Sequence, residues 1–293
     1  MNTKTAPPVA ATAGTLRAAI RELRHSGRSI GLVPTMGALH DGHLGLVEAS
    51  VRQCDATVVS IFVNPTQFAP HEDLARYPRM LEQDLQRLAG SGTDLVFAPP
   101  PEAMYPPGCE TRVQPGSIAR RLEGESRPTH FQGVATIVLK LFQLSGADAA
   151  FFGQKDYQQS LVVRHMVRDL NLPIDIVVCP IVRDDDGLAL SSRNVFLDAS
   201  QRTSALALYR TLQAAANLIG EGETDGRVIT AEMVQSLITG GVSQVDYAVL
   251  ADPETLETLE TVRLPAVLLV AARVGNTRLI DNLMVRQGNN PTF

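Results

Sequence analysis

Residues 29–63, "SIGLVPTMGALHDGHLGLVEASVRQCDATVVSIFV", decide the fold of this chain. Two short apolar runs, 29–33 and 57–63, flank residues 43–54, whose apolar side chains recur at helical spacing. A strand, a helix and a second strand in this order predict two parallel strands joined by a crossover helix. The loop between the first strand and the helix contains two glycines and two histidines, so its chemistry has to be explained as well.

The same alternation continues through the first 181 residues. Further predicted strands occupy 94–99, 149–153 and 174–180. Further predicted helices occupy 79–90, 134–146 and 158–170. This alternation predicts an α/β fold with a doubly wound parallel sheet covered by helices on both faces. Ligands of such sheets bind at the carboxyl ends of the strands, where the polar motifs of this chain follow.

The pattern changes near residue 182. Two helices are predicted at 199–220 and 227–240, and three strands at 245–252, 266–275 and 277–285. We therefore predict a first domain over 15–181 and a smaller α+β domain over 182–293. Residues 1–14 are predicted to form a flexible lead-in.

The composition narrows the class of protein and its location. A net charge of −5 and the lack of a basic tract argue against nucleic-acid binding. No apolar run approaches the ~20 residues that span a bilayer, so no membrane partner is expected. The N-terminus does not have the charged-then-apolar order of a signal peptide. The three cysteines are widely spaced and include no CxxC pair, which fits a reducing cytoplasm.

His40 and His43 lie three residues apart at the predicted start of a helix. They could bind a metal, perform acid–base chemistry, hold a phosphate or be two exposed histidines without a task. A zinc site is disfavoured, because no Cys or acidic partner follows at zinc-site spacing. The glycine-containing loop before a helix N-terminus favours phosphate, since free N–H groups and the helix dipole attract anions there.

Other polar residues stand near the ends of predicted elements. Asn64 and Gln67 follow the second strand, where Asn64 alone fits an Asn-Pro turn and Gln67 could bind a hydroxyl or carboxylate. Arg127 precedes a helix in "RPTHFQGV" and is either a surface arginine or a phosphate contact. Ser191, Ser192, Arg193 and Asn194 form a group that could be a turn or could grip a polyphosphate.

Lysine is scarce in this chain, which draws attention to Lys155. Only three of the 26 basic residues are lysines. Lys155 follows a predicted strand in "FFGQKDYQQS", beside Asp156 and before Gln159. An N-capping Asp156 with a solvated lysine is the plain alternative, but a retained lysine favours a role that arginine does not fill.

Six motifs together resemble the pantothenate synthetase (pantoate–β-alanine ligase) family. They are "PTMGALHDGHL", "NPTQF", "YPR", "RPTHFQGV", "FFGQKDYQQ" and "DGLALSSRN", and they occur in the family's order over roughly residues 15–285. This family is related to class I aminoacyl-tRNA synthetases, in which "HDGH" corresponds to the HIGH motif and "LSSRN" to the KMSKS loop. The resemblance implies a Rossmann-like first domain and a C-terminal lid. The implied reaction joins pantoate to β-alanine with ATP through a pantoyl adenylate, releasing AMP and pyrophosphate.

The resemblance also implies a role for individual residues. His40, His43, Lys155 and Arg193 are expected to be catalytic, through stabilisation of phosphate charge. Pantoate is expected at Gln67 and Gln159, β-alanine near Gln67, and supporting contacts from Asn64 and Arg127. The expected ATP site comprises Met36, Gly37, Ala38, Leu39, His40, Asp41, Gly42, His43, Gly153, Gln154, Lys155, Asp156, Val182, Leu190, Ser191, Ser192 and Arg193. Mg²⁺ is expected on the phosphates, with Asp84 as a candidate protein ligand, and the family implies a homodimer.

Two positions depart from the family's common pattern. Gln154 stands where Glu is frequent, and Leu190 where Met is frequent. Neither is expected to perform chemistry, and Leu190 keeps an apolar side chain of similar size. Two other functions are weighed: another nucleotidyltransferase of this fold, which should lack the paired Gln67 and Gln159, and a noncatalytic nucleotide-binding protein, which should lack Lys155, a histidine or Arg193.

Overall fold

The structure, a computed structural model, describes residues 5–25, 27–69 and 72–287. The chain divides into two compact units. The N-terminal unit contains the described residues up to 154 together with 158–180. The C-terminal unit contains 155–157 and the described residues from 181 onward. The sequence predicts a division after residue 181, whereas the structure divides after Pro180 and groups the short segment 155–157 with the C-terminal unit.

The N-terminal half alternates strands and helices as its sequence predicts. The strands are β1 (Val9–Ala10), β2 (Ile30–Thr35), β3 (Ala56–Ile61), β4 (Leu95–Phe97), β5 (Ala149–Gly153) and β6 (Asp175–Cys179). The helices are α1 (Ala13–Arg24), α2 (Asp41–Gln53), α3 (Leu81–Leu88), α4 (Pro101–Met104), α5 (Glu123–Ser126), α6 (His130–Ser145) and α7 (Tyr157–Asp169). Single 3-10 turns occupy Pro65–Gln67, Asp73–Ala75, Ser117–Arg120 and Gln154–Asp156.

The six strands form one sheet in the order β1-β4-β3-β2-β5-β6, and every pair is parallel. Leu32 and Val33 point to opposite faces of β2 and are 1% and 0% exposed, so both faces of the sheet are covered there. The predicted α/β, Rossmann-like fold is confirmed. The chain leaves β2 toward β3 on one side and continues from β5 toward β6 on the other, so the carboxyl ends of β2 and β5 form the topological switch point.

The first residues are more ordered than the predicted flexible lead-in of 14 residues. Val9–Ala10 pair in parallel with β4, and α1 begins at Ala13. Thr12 caps this helix: its side chain accepts the N–H of Thr15 at 3.1 Å. Two α1 side chains, Leu16 and Ile20, are buried, and with Leu23 they recur at helical spacing, so the prediction misses this helix although its apolar pattern is present in the sequence. Residues 1–4 lie outside the described residues, so the prediction stays open for them.

The C-terminal unit is built from two helices and three antiparallel strands. They are α8 (Ala199–Gly220), α9 (Gly226–Thr239), β7 (Gln244–Ala251), β8 (Ala266–Val274) and β9 (Thr277–Val285), with a 3-10 turn at Ser192–Phe196. The strand order is β7-β8-β9, and side chains of both helices and of the sheet form one core. The predicted α+β architecture is confirmed. None of the helices within the described residues is long and apolar enough to cross a membrane.

Candidate functional site

Residues 36–40 connect the carboxyl end of β2 to the start of α2. Gly37 has φ +83°, and Ala38 also adopts a positive φ of 51°. A Cβ atom at Gly37 would lie 3.0 Å from a carboxylate oxygen of Asp84 and 3.1 Å from Ile61. Glycine is therefore favoured at this position both by the backbone conformation and by the close approach of neighbours.

Asp84, on α3, holds this loop. Its two carboxylate oxygens accept the N–H groups of Ala38 at 3.0 Å and Leu39 at 2.7 Å, and Asp84 is only 2% exposed. Burial raises the pKa of Asp84, and the two N–H bonds offset this only in part. Asp84 thus serves as an anchor of the loop backbone, a use that competes with its predicted role as a metal ligand. Within the described residues, no group of three or more His, Cys, Asp and Glu side chains is arranged to hold a metal ion.

His40, at the end of the loop, and His43, in the first turn of α2, lie against each other with tilted rings. Their ring centroids are 4.0 Å apart, with the planes inclined by 39°. His40 is the N-cap residue, and its backbone N–H donates to Nδ1 of His43 at 3.2 Å. In neutral His43 this contact assigns the ring proton to Nε2. Two imidazoles and the N–H groups of a helix N-terminus are thus concentrated at the switch point, an arrangement suited to an anion. Asp41, one residue on, pairs with Arg87 at 3.4 Å on an exposed surface.

Gln67 lies beside the loop in a chain of hydrogen bonds. Its Nε2 donates to the sulfur of Met36 at 2.8 Å, and its Oε1 accepts from Asn64 at 3.1 Å. Asn64 is 1% exposed, donates also to the carbonyl of Gly133 at 3.1 Å and accepts from the Tyr105 hydroxyl at 2.9 Å. These contacts fix the orientation of both amides. The structure therefore brings the predicted residues Met36, Asn64 and Gln67 together.

Arg127 and His130 support the backbone of Gln67. His130 Nδ1 donates to the Gln67 carbonyl at 2.9 Å, and Arg127 donates to the same oxygen at 3.4 Å. Arg127 also forms a bidentate pair with Glu72, at 2.5 and 2.9 Å. Burial and the neighbouring charge of Arg127 lower the pKa of His130 to about 4, so the ring is neutral at pH 7. Burial acts against ionisation of Glu72, but the hydrogen bonds and charge of Arg127 outweigh it and lower the pKa of Glu72.

Two successive glutamines at the start of α7 are used differently. Gln158 is buried: its Oε1 accepts the N–H of Glu123 at 3.1 Å, and its Nε2 donates to the carbonyls of Ile118 and Arg121 at 2.8 and 2.7 Å. It therefore fixes the segment that precedes Arg127. Gln159, the predicted pantoate ligand, is half-buried, and its side-chain amide forms no hydrogen bond with the described residues, which leaves that amide available for a ligand.

Lys155 lies in the 3-10 turn that follows β5. It belongs to the C-terminal unit, whereas Gln154, the first residue of the turn, belongs to the N-terminal unit. Gly153 ends β5 opposite Cys179, and Gln154 begins the turn. The Lys155 ammonium is 4.0 Å from the Asp156 carboxylate, with the lysine side chain 19% exposed and that of Asp156 49% exposed. The Lys155 carbonyl accepts from Asn282 at 3.0 Å. The turn is thus held through its backbone, while its charged side chains remain near the surface.

Residues 182–193 form a short hairpin followed by a 3-10 turn in the C-terminal unit. Leu190 donates its N–H to the Val182 carbonyl at 3.0 Å, which brings these two predicted residues together. Ser191 caps the turn that begins at Ser192, with its Oγ accepting the Arg193 N–H at 3.3 Å. The turn interpretation of the serines thus holds locally, and it places Ser192 and Arg193 on one well-defined segment.

Several residues that support predicted site residues within one unit or the other are missed by sequence reasoning. They are Glu72, Tyr105, Gln158, Arg183 and Asp281 with its neighbour Asn282. The sequence does contain a signal for Asp281 and Asn282, because "TRLIDNLMV" places an acid and an amide inside a largely apolar predicted strand. For the others, the sequence contains no pattern that links them to the residues they contact, which are 35 to 55 positions away for Gln158 and Glu72.

Comparison with known proteins agrees with the motifs. A family model described as pantoate-beta-alanine ligase matches residues 8–284. Pantothenate synthetase of Moorella thermoacetica is 50% identical over 274 residues, which cover 94% of this chain and 97% of that protein. Pantothenate synthetase of Rhodopirellula baltica is 52% identical over 270 residues, covering 91% of this chain and 95% of that protein.

Two solved structures share the fold over nearly the whole chain. The crystal structure of pantothenate synthetase from Thermus thermophilus superposes with a TM-score of 0.91 at 47% identity and covers 95% of this chain and 99% of that one. The pantoate-beta-alanine ligase of Francisella tularensis, complexed with beta-gamma ATP and beta-alanine, has a TM-score of 0.81 at 34% identity, with 98% and 100% covered. The motifs, the fold and these likenesses agree: the chain belongs to the pantoate–β-alanine ligase family.

Proposed function

We propose that this enzyme condenses pantoate with β-alanine at the expense of ATP, through a pantoyl adenylate, and yields pantothenate, AMP and pyrophosphate. One observation carries the proposal. The loop that ends at His40, beside His43 of α2, contacts Gln67 through Met36, so the helix N-terminus proposed to bind phosphate and a buried amide adjoin each other. The likeness to a ligase complexed with beta-gamma ATP and beta-alanine supports the same substrates here.

The first step is an in-line displacement at the α-phosphorus of ATP. A carboxylate oxygen of pantoate forms a bond to phosphorus, and the bond to the bridging oxygen breaks, so that the electron pair leaves with pyrophosphate. Charge develops on the phosphate oxygens, and His40, His43, Lys155 and Arg193 are assigned to stabilise it. Gln67 and Gln159 are assigned to hold pantoate, because neutral amides can donate to its carboxylate and accept from its hydroxyls.

The second step is acyl transfer. The neutral amine of β-alanine attacks the acyl carbon of the adenylate, the bond from that carbon to the AMP oxygen breaks, and the amine loses a proton. The adenylate carries AMP as a good leaving group, whereas free pantoate has no good leaving group on its carboxylate. No activated Cys or Ser–His–Asp arrangement is required, and the proposed site is accordingly rich in positioning and charge-stabilising groups.

Mg²⁺ remains part of the proposal only as an ion that accompanies the phosphates of ATP. Mg²⁺ in such sites is commonly held by phosphates, waters and one or two carboxylates. Asp84 fits this role poorly, because both of its oxygens already accept N–H groups of the loop. A homodimer and a cytoplasmic location carry over from the family resemblance, and light scattering of the purified protein tests the first of them.

The two half-reactions can be tested separately. Purified enzyme with ATP and pantoate alone should release pyrophosphate, and later addition of β-alanine should release AMP and form pantothenate. Controls without pantoate, or with a nicotinamide or cytidine nucleotide substrate, should give no turnover. Release of pyrophosphate that is independent of pantoate would point to another nucleotidyltransferase, and ATP binding without any turnover would point to a noncatalytic nucleotide-binding protein.

A further inference from the structure

Two adjacent polar residues lie buried in the middle of β9. Asp281 is 4% exposed and Asn282 is 2% exposed. The Asn282 N–H donates to a carboxylate oxygen of Asp281 at 2.8 Å. Buried acids and amides are costly unless they are paired, so the contacts they make elsewhere identify their role.

Asp281 holds the hairpin that leads to Ser191–Arg193. Its carboxylate forms two parallel bonds with Arg183, at 2.7 and 2.9 Å. Arg183 in turn lies 3.6 Å above the ring of Tyr209 and donates to the Gly187 carbonyl at 3.1 Å. A bidentate pair combined with a stacked guanidinium leaves little freedom in orientation. The base of the hairpin is therefore tied to β9.

Asn282 holds the turn that carries Lys155. Its side-chain amide donates to the Lys155 carbonyl at 3.0 Å. Two residues on, the Tyr157 hydroxyl donates to the Pro253 carbonyl at 2.9 Å, which fixes the other end of the segment. The backbone of Lys155 is thus held by the C-terminal unit, although it follows β5 directly in the sequence.

We propose that Asp281 and Asn282 are positioning residues that set Lys155 and the 182–193 segment in register with each other. Consecutive Cα atoms are separated by about 3.8 Å, so two anchors on neighbouring residues of a rigid strand cannot drift apart. The inference rests on the proposed function, in which Lys155 and Arg193 act on the same phosphates. Neither Asp281 nor Asn282 touches substrate in this proposal.

Isosteric variants test the proposal. Asp281→Asn removes one charge from the Arg183 pair, and Asn282→Asp removes the donor to the Lys155 carbonyl. For pantoate-dependent pyrophosphate release, each should lower kcat by about 10- to 100-fold and raise KM for ATP by about tenfold, because small misplacements of catalytic groups have effects of this size. KM for pantoate should change by less than about threefold, because pantoate is assigned to residues of the N-terminal unit.

Asp246→Asn is the matched control. The Asp246 carboxylate pairs with Arg278 at 2.6 Å in the same sheet, with side-chain exposures of 12% and 17%. For Asp281 and Arg183 the corresponding exposures are 3% and 16%. The control breaks a comparable ion pair that holds neither Lys155 nor the hairpin. It should lower the melting temperature and leave both kinetic constants within about threefold of wild type.

Hydrogen exchange provides a readout that does not depend on turnover. In Asp281→Asn the amides of residues 182–190 should exchange about tenfold faster than in wild type, while in Asp246→Asn they should not. The positioning role would be overturned if Asp281→Asn, Asn282→Asp and Asp246→Asn all lost activity in proportion to their loss of melting temperature. If either isosteric variant fails to fold, Asn282→Ser is a milder change in which kcat and KM for ATP can be measured instead, with the same expected direction. Absence of pantoate-dependent turnover in wild type would refute the proposed function alone, since the exchange measurement would still report on the anchors.

Discussion

The loop of residues 36–40 and the hairpin of residues 182–190 are both held by a buried aspartate, but by different chemistry. Asp84 accepts two backbone N–H groups, whereas Asp281 forms a bidentate pair with the Arg183 side chain. The first mode fixes the backbone itself, in the conformation that Gly37 allows. The second fixes one side chain and, through it, the base of a hairpin. The backbone is thus fixed directly at the helix N-terminus, where N–H groups are proposed to face phosphate.

The largest effect is expected from removing one charge-stabilising side chain in each of the two units. His43→Ala and Lys155→Ala should each lower pantoate-dependent pyrophosphate release by about 10³-fold, the order found for lost transition-state donors. Both variants should melt within a few degrees of wild type. His25→Ala, which alters an exposed histidine after α1, is the control and should be fully active. A loss of folding stability that parallels the loss of rate would indicate a structural role instead.

The anchor of the first loop gives the next largest effect. Asp84→Ala leaves the N–H groups of Ala38 and Leu39 unpaired, and the resulting shift of the loop should lower the rate by about 100-fold. Asp84→Asn keeps one acceptor oxygen and should fall between this variant and wild type. Asp94→Asn is the control, because Asp94 also accepts a backbone N–H, from Thr57 at 2.8 Å, but at the amino end of β3, away from the loop. An Asp94→Asn variant as slow as Asp84→Ala would remove the special role of the loop anchor.

His130 predicts a pH dependence of stability that is specific to the N-terminal unit. Its pKa is about 4 in the folded chain, against an ordinary value of 6.5, so between these values the unfolded state binds a proton that the folded state does not. Stability should therefore fall as the pH falls, by about 2 kcal/mol between pH 7 and pH 4.5 from this group. Above pH 7 the contribution is constant.

His130→Asn separates this contribution from those of other groups, because its amide can still donate to the Gln67 carbonyl but does not titrate. Urea unfolding at several pH values should show that the difference in stability between wild type and variant narrows or inverts as the pH falls toward 4.5. Parallel stability curves would show that His130 does not have a depressed pKa.

The smallest effect is expected at the departure from the family pattern. Gln154→Glu introduces a carboxylate next to Lys155, and in the partly exposed turn the added charge is well screened. KM for ATP should rise by less than about threefold, with kcat unchanged, because part of the attraction of the lysine for phosphate is neutralised. Steady-state kinetics at low and high salt check this: a large rise in KM that persists at high salt would mean that residue 154 contacts the nucleotide directly.

The sequence predicts most of the longer helices and strands and misses the shortest ones. The helix at 43–54 and the strand at 277–285 are found at Asp41–Gln53 and Thr277–Val285. The helix α1 is missed, although Leu16, Ile20 and Leu23 stand at helical spacing. Short helices such as α4 are missed because a single turn contains no complete period of the apolar pattern.

The site residues fall into those that local sequence identifies and those whose role depends on contacts between distant positions. Residues in the motifs, among them His40, His43, Gln67 and Lys155, are identified by local sequence because their chemistry and their turns lie within a few positions of each other. The contacts that Asp84 and Asp281 make in support of them are not identified in this way. Asp84 is 45 and 46 positions from the N–H groups it accepts, and Asp281 is 98 positions from Arg183. Nothing in the spacing of residues so far apart indicates a contact.

By itself, the sequence determines the alternation of strands and helices, the turn residues such as Gly37 and the set of functional groups, since each depends on interactions over a few residues. Only the tertiary structure decides what those groups can do. It places Asp84 against the N–H groups of the loop and Gln158 against the backbone of the segment before Arg127. It leaves the Gln159 side chain available for a ligand and joins the Lys155 carbonyl to Asn282 of β9. The physical reason is that a buried polar group must find a partner wherever folding has placed one, and that place is set by packing of the whole unit.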